Sequence, residues 1–233
     1  MKILNVGLFG LFCAASSVMA APCTVGSLQS YISLGSGGCG IGPVQFTNFV
    51  IAPGTAGATA INPANINVTP GGGPFNFTLV FVFNQTANAG QLFESFFHFN
   101  ATGTALSAAS IALGSSAITG DGANTGILDA CPNAMFAGNS PTGCPTSPQS
   151  AVAFQTVGSS GLSDSLSFQP SVMSLDLYVD LTADGGSAGS ARLTSATVSF
   201  SNVPEPSAAW LLAAGGSMFG LLRYRAGKSR RNT

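Results

Sequence analysis

Two runs of this chain set acid–base side chains at strand spacing. In Leu92-Phe93-Glu94-Ser95-Phe96-Phe97-His98, a period of two puts Glu94 and His98, the sole histidine, on one strand face. In Leu175-Asp176-Leu177-Tyr178-Val179-Asp180-Leu181, Asp176, Tyr178 and Asp180 share one face and the aliphatic residues take the other. A histidine near a carboxylate, or two carboxylates flanking a sugar, is the equipment of general acid–base hydrolysis. A third group, Asp121, Asn124 and Asp129, offers the oxygen ligands that calcium prefers. Each group also has an ordinary reading. No G-x-S-x-G or similar nucleophile elbow accompanies His98, which then reads as a half-exposed strand residue. The alternation around Asp176 and Asp180 is what a solvated sheet face requires. The Asp121–Asp129 spacing does not match an EF-hand loop, and turns collect Asp and Asn for backbone reasons. No catalytic, cofactor or metal site is expected.

Charge narrows the partners. Six of the seven Lys and Arg residues lie at the two ends, and the body from Ala21 to Val203 keeps only Arg192. Against it stand Glu94, Asp121, Asp129, Asp164, Asp176, Asp180 and Asp184, a balance of −6. A body with a single cation cannot neutralise a run of phosphates, so nucleic acid is not expected as a partner. Four cysteines remain in the body, and the spacing favours Cys23 with Cys39 and Cys131 with Cys144 among three formal connectivities. Each local link closes a loop rich in Gly, Pro, Ser or Asn and contributes about 3 kcal/mol on the loop-entropy estimate. A metal reading needs C-x-x-C pairs or neighbouring histidines, and neither occurs. The triplets beginning at Asn67, Asn76, Asn84 and Asn100 match the N-glycosylation sequon and read as polar surface positions.

The elements that must position these groups are strands. Phe75 to Phe83 alternates large apolar with polar, then β-branched, residues, and shorter runs follow the same pattern. These are Val44–Ile51, Gln91–Phe99, Ala151–Val157, Ser165–Gln169, Val172–Leu181 and Leu193–Phe200. Turn clusters at 70–74, 121–122, 140–143 and 184–186 separate them. Only Ser27–Leu34 and the Ala-rich Ala105–Leu113 suit a helix. The pattern predicts one all-β domain, an antiparallel β-sandwich, with its last two strands forming a hairpin.

Both ends carry targeting patterns. Met1-Lys2, an apolar stretch from Ile3 to Ala15, and Val18-Met19-Ala20 read as a signal peptide over residues 1–20, cut between Ala20 and Ala21 by signal peptidase. Near the C-terminus, Pro204-Glu205-Pro206 stops the last strand, because proline lacks an amide donor and restricts the residue before it. The sixteen positions 207–222 carry no charge and predict a single transmembrane helix. Its length of ~24 Å is short for a bilayer core of ~30 Å. Trp210 and Tyr224 suit the two interfaces, and Arg223, Arg225, Lys228, Arg230 and Arg231 hold that end in the cytoplasm. The Gly216/Gly220 spacing arises easily in a Gly/Ala-rich helix.

Val203-Pro204-Glu205-Pro206, the short apolar helix and the Arg-rich end, in that order over residues 204–233, resemble the PEP-CTERM protein-sorting signal of Gram-negative bacteria. That domain is also labelled ice-binding protein C-terminal. The opening of the body, Cys23 to Tyr31 and Gly35-Ser36-Gly37-Gly38-Cys39, is similar to that of some β-rich PEP-CTERM proteins. The resemblance implies recognition by an exosortase, a membrane-embedded cysteine transpeptidase-like enzyme that cuts near Pro-Glu-Pro, and a setting of exopolysaccharide and biofilm production. Scattered threonines without a short repeat give no ice-binding face. The expectation is a non-enzymatic surface or matrix protein of domain 21–203. It passes through the inner membrane as an intermediate and has exopolysaccharide as a candidate contact. A carbohydrate-binding module, and after it a secreted hydrolase using Glu94, Asp176 or Asp180, are the alternatives.

Overall fold

The computed structural model describes residues 20–114, 116–138 and 140–202. The signal segment 1–19, Val203, Pro204-Glu205-Pro206, the 207–222 run with Gly216 and Gly220, and the cluster from Arg223 to Arg231 lie outside the described residues. The chain begins with β1 (Gly26–Ser27), α1 (Leu28–Ser33), β2 (Cys39–Ile41), β3 (Val44–Ile51) and β4 (Thr59–Ala60). After a 3-10 turn at Pro63–Asn65 come β5 (Asn67–Gly72), β6 (Asn76–Asn88), β7 (Leu92–Leu113) and β8 (Ser116–Thr119). Then follow β9 (Ala123–Pro132), β10 (Gln149–Thr156), β11 (Ser159–Gly161), β12 (Ser163–Asp184) and β13 (Ser190–Asn202).

The expected all-β, antiparallel character holds, and all thirteen strands join one hydrogen-bonded sheet. Its main path runs β1-β5-β6-β13-β7-β12-β9-β10-β11. Among the described residues only the short β4–β7 pairing and a bridge between Pro22 and Gly40 are parallel. Among the described residues no helix is long and apolar enough to cross a membrane.

β7 and β12, each 22 residues long, shape the sheet. Along one edge of β7, residues 97–102 pair with β3 and residues 106–113 with β13, while β12 follows the other edge. The registers of both long strands break between these halves, at Leu106/Thr102 on β7 and between Ser167 and Ser174 on β12. Such irregularities bend a strand, so the sheet curls and its halves face one another. Phenylalanines at period two fill the interior: Phe81 against Phe97 at 4.8 Å, Phe46 against Phe200 at 5.4 Å, and Phe49 stacked on Phe99 at 4.9 Å. Phe49 reaches the core because Asn48, at φ 56°, shifts the register of β3 between Thr47 and Val50.

Two sequence expectations are corrected. Ala105–Leu113 is strand, not helix; Ala109, Ile111 and Leu113 are buried at period two between two partner strands, which outweighs alanine's weak helical preference. β12 and β13 do not form a hairpin, because β7 lies between them and uses both as partners. The 185–189 connection therefore crosses to the other side of β7 instead of turning back. Ser27–Leu34 does contain the expected helix, α1, capped by the Ser27 hydroxyl accepting from Ser30 N at 3.2 Å.

Of the three possible connectivities the local one forms, Cys23–Cys39 and Cys131–Cys144. The first ties β2 to the segment at Ala21, whose carbonyl accepts from Gly40 N at 2.8 Å. The second closes the loop between β9 and β10.

Phe99 touches Phe46, Phe49, Phe97 and Phe200, so it joins both sides of the interior. Phe99→Ala is expected to lower stability by ~3–5 kcal/mol in denaturant unfolding. A loss below ~1 kcal/mol would contradict a closely packed interior at this point.

Candidate functional site

The face of β12 opposite the phenylalanine core is where the sequence placed solvent. The structure corrects this: Asp176 is 2% exposed, Tyr178 is buried, and Glu94 on neighbouring β7 is 3% exposed. Two segments cover that face. Loop residues 133–138, stapled at their base by Cys131–Cys144, fold back over β12, and the chain beyond β3 passes across Glu94. Phe136, Tyr178, Ala52 and Cys131 form a second apolar cluster there, with Phe96, Ala134 and Cys144 at its margin.

Register brings the polar groups together across the strands. Asp176 pairs with Asn100 and Tyr178 with His98 in the β7–β12 ladder. One Asp176 carboxylate oxygen accepts from His98 Nε2 and from Asn100 Nδ2 at 2.7 Å. The other accepts from the backbone N of Phe136 at 2.7 Å. Asn100 Oδ1 in turn accepts from Asn48 Nδ2 at 3.0 Å, which draws the β3 bulge into the network. Asn100 is thus an internal hydrogen-bonding group, unlike the exposed Asn67, Asn76 and Asn84. His98, expected as an ordinary half-exposed strand residue, is 17% exposed and fixed by a buried carboxylate.

A second group lies four residues along each strand, at Glu94 on β7 and Asp180 on β12. Glu94 accepts from Thr55 N at 2.5 Å and from Thr55 Oγ1 at 2.8 Å. A Cβ at Gly54 would crowd Glu94 Oε2, so glycine lets the carboxylate keep its bonds to Thr55. Asp180 sits within hydrogen-bonding reach of Glu94 and near Asp129, with its Oδ1 buried and unpartnered. Burial, then the charges of Glu94 and Asp129, push the Asp180 carboxyl up to about 7. Asp129 is also raised by burial, against a hydrogen bond from Ser150. Tyr178 is raised by burial and then by the charge of Asp176.

The Asp121, Asn124 and Asp129 trio is not assembled. Asp121 accepts from Ser187 N, Ser187 Oγ and Ala188 N at 2.7–2.9 Å, which holds its carboxyl down at about 2 and clamps the loop between β12 and β13. Gly186, at φ 63°, leaves room there; a Cβ would meet Asp121 Oδ1 at 2.4 Å. Asn124 is fully buried and donates to the Arg192 carbonyl at 3.1 Å, while Asp129 lies with Asp180. Among the described residues no group of three His, Cys, Asp or Glu could hold a metal ion.

Sequence reasoning missed Phe136, Met135, Asn100, Asn48 and Thr55. One signal was present: Ala134-Met135-Phe136 is an apolar triplet inside a polar disulfide loop, and such a triplet needs a surface to cover.

No family model matches the chain, and no curated protein matches it. One solved structure, described as "Glycosylation Associate Protein (Gap123) complex from Streptococcus agalactiae", is similar over 71% of this chain at 14% identity and a TM-score of 0.25. The chain spans 27% of that protein's length. A likeness this slight carries no argument about fold or function.

Two outcomes test the site. A carboxyl raised by folding contributes stability that is complete below its unfolded pKa near 3.8 and is lost as pH rises through about 7. The wild-type midpoint should therefore fall between about pH 4 and about pH 7, and Asp180→Asn should flatten that fall in thermal unfolding. The Phe136 amide should resist hydrogen exchange in the oxidised chain and lose protection in Cys131→Ser, because the loop that carries it is then released.

Proposed function

We propose that this chain is an exported, exosortase-sorted structural protein of the cell surface or extracellular matrix, its curled sheet acting as a two-layer β-sandwich without catalytic activity. The observation that carries the reading is the order of Pro204-Glu205-Pro206, an uncharged apolar run and a basic cluster at residues 204–233. The extent of the described strands supports it. β13 ends at Asn202, whose N donates to the Phe75 carbonyl at 3.2 Å, so a cut near Pro204-Glu205-Pro206 removes none of the described strands. Two disulfides fit an oxidising, extracytoplasmic compartment. In this reading the apolar 207–222 segment holds the protein in the inner membrane until exosortase acts, and exopolysaccharide is the candidate contact outside.

The hydrolase alternative needs two accessible carboxylates ~5–9 Å apart around a sugar. Glu94 is buried and its oxygens are engaged by Thr55, while Asp176 is buried and held by three partners. That arrangement favours a structural role for these groups. The carbohydrate-module alternative gains no aromatic platform, since Tyr31 and Tyr178 are both buried.

Intact mass of the protein from medium and membranes, in a producing strain with and without its exosortase, tests the proposal. A species running from Ala21 to the neighbourhood of Pro204-Glu205-Pro206, seen only with the enzyme, is expected. A full-length C-terminus retained in membranes in both strains would make the protein tail-anchored and remove the matrix reading.

A further inference from the structure

The 131–144 loop does not seal completely against the sheet. Between it and the end of β3 lies a cavity of about 230 Å³, walled by Val50, Ile51, Met135, Phe136, Tyr178 and His98. We propose that this cavity binds a small hydroxylated aromatic molecule, a phenol of one ring, whose hydroxyl donates to His98 Nδ1.

The polarity of His98 follows from its neighbour. Asp176 uses both carboxylate oxygens as acceptors for Asn100 and Phe136, so the contact with His98 Nε2 requires the imidazole proton on Nε2. In the neutral ring Nδ1 is then a lone-pair acceptor, and no hydrogen bond from the described residues reaches it. The other polar side chain in the wall has its proton engaged: Tyr178 Oη donates to the Gly138 carbonyl at 3.3 Å. The site therefore offers the His98 Nδ1 lone pair among mainly apolar side chains, and one hydroxyl satisfies it.

Size and wall chemistry narrow the ligand further. An apolar cavity of ~150 Å³ holds benzene, so this one has room for a ring with a small substituent. The Phe136 and Tyr178 rings, 5.3 Å apart and at 69°, present aromatic faces and edges, and the Met135 thioether is a favourable ring neighbour. Val50 and Met135 are 52% and 63% exposed, and with Ile51 they gather large apolar side chains at a single cavity. A sugar would set several hydroxyls against walls made mainly of apolar side chains. An anionic ligand would meet no Lys or Arg, since Arg192, the only one among the described residues, lies on β13 and pairs with Thr86 and Ala117.

The chain's single histidine makes the test direct. In the oxidised full-length protein labelled with [15N]histidine, p-cresol and toluene are titrated as probes that differ by the hydroxyl. The expected result is a saturable shift of the His98 Nδ1 resonance with p-cresol, binding about tenfold tighter than toluene, as one neutral hydrogen bond allows. His98→Phe should keep the cavity apolar and abolish the preference. Equal binding of the two probes, saturation by p-cresol without movement of Nδ1, or no saturable binding of p-cresol would each overturn the proposal. The two-probe comparison needs no variant, so it decides the matter even if His98→Phe does not fold.

Discussion

The carboxylate of Asp176 ties together segments that are far apart in the chain. It belongs to β12, it accepts from His98 and Asn100 on β7, and it accepts from the Phe136 amide in the disulfide loop. Through Asn100 it also holds Asn48 at the β3 bulge, the irregularity that turns Phe49 into the core. A buried carboxylate without such donors would be costly, and Arg192, the only Lys or Arg among the described residues, lies elsewhere on the sheet. Amides and an imidazole therefore do the work that a salt bridge does in a cation-rich protein. The same scarcity explains Glu94, held by Thr55, and Asp180, left to share its environment with two other carboxylates.

The covering loop depends on its staple. Residues 133–138 contain Gly, Asn and Ala beside Met135 and Phe136, a composition with too little apolar surface to order itself. Closing Cys131 to Cys144 lowers the entropy of the open loop, and the Phe136 side chain can then bury against Tyr178. The loop's fit is incomplete on the Val50 side, and that leaves the cavity. Packing inside the curled sheet and packing on its outer face are thus different problems. The first is solved by phenylalanines at period two, the second by a cross-linked loop landing on polar groups.

Much of the fold was legible in the sequence. Val44–Ile51 is β3 itself, Phe75–Phe83 became β6, and the paired cysteines closed as their spacing favoured, because each of these depends on neighbours along the chain. The strand at Ala105–Leu113 was not legible, since alanine suits a helix unless two other strands claim its backbone hydrogen bonds. Nor was the β12–β13 relation, because the insertion of β7 between sequential strands is a long-range choice.

The candidate site divides in the same way. Alternation placed Asp176, Tyr178 and Asp180 on one strand face and Glu94 and His98 on another, and both placements stand. The order of Pro-Glu-Pro, apolar run and basic cluster over residues 204–233 is likewise a property of the sequence alone. Whether the polar face met water was decided only by tertiary structure, through the positions of the 133–138 loop and Thr55. Periodicity is local and says which residues point together; burial of a second face depends on which distant segment comes to rest there, and no local pattern encodes that.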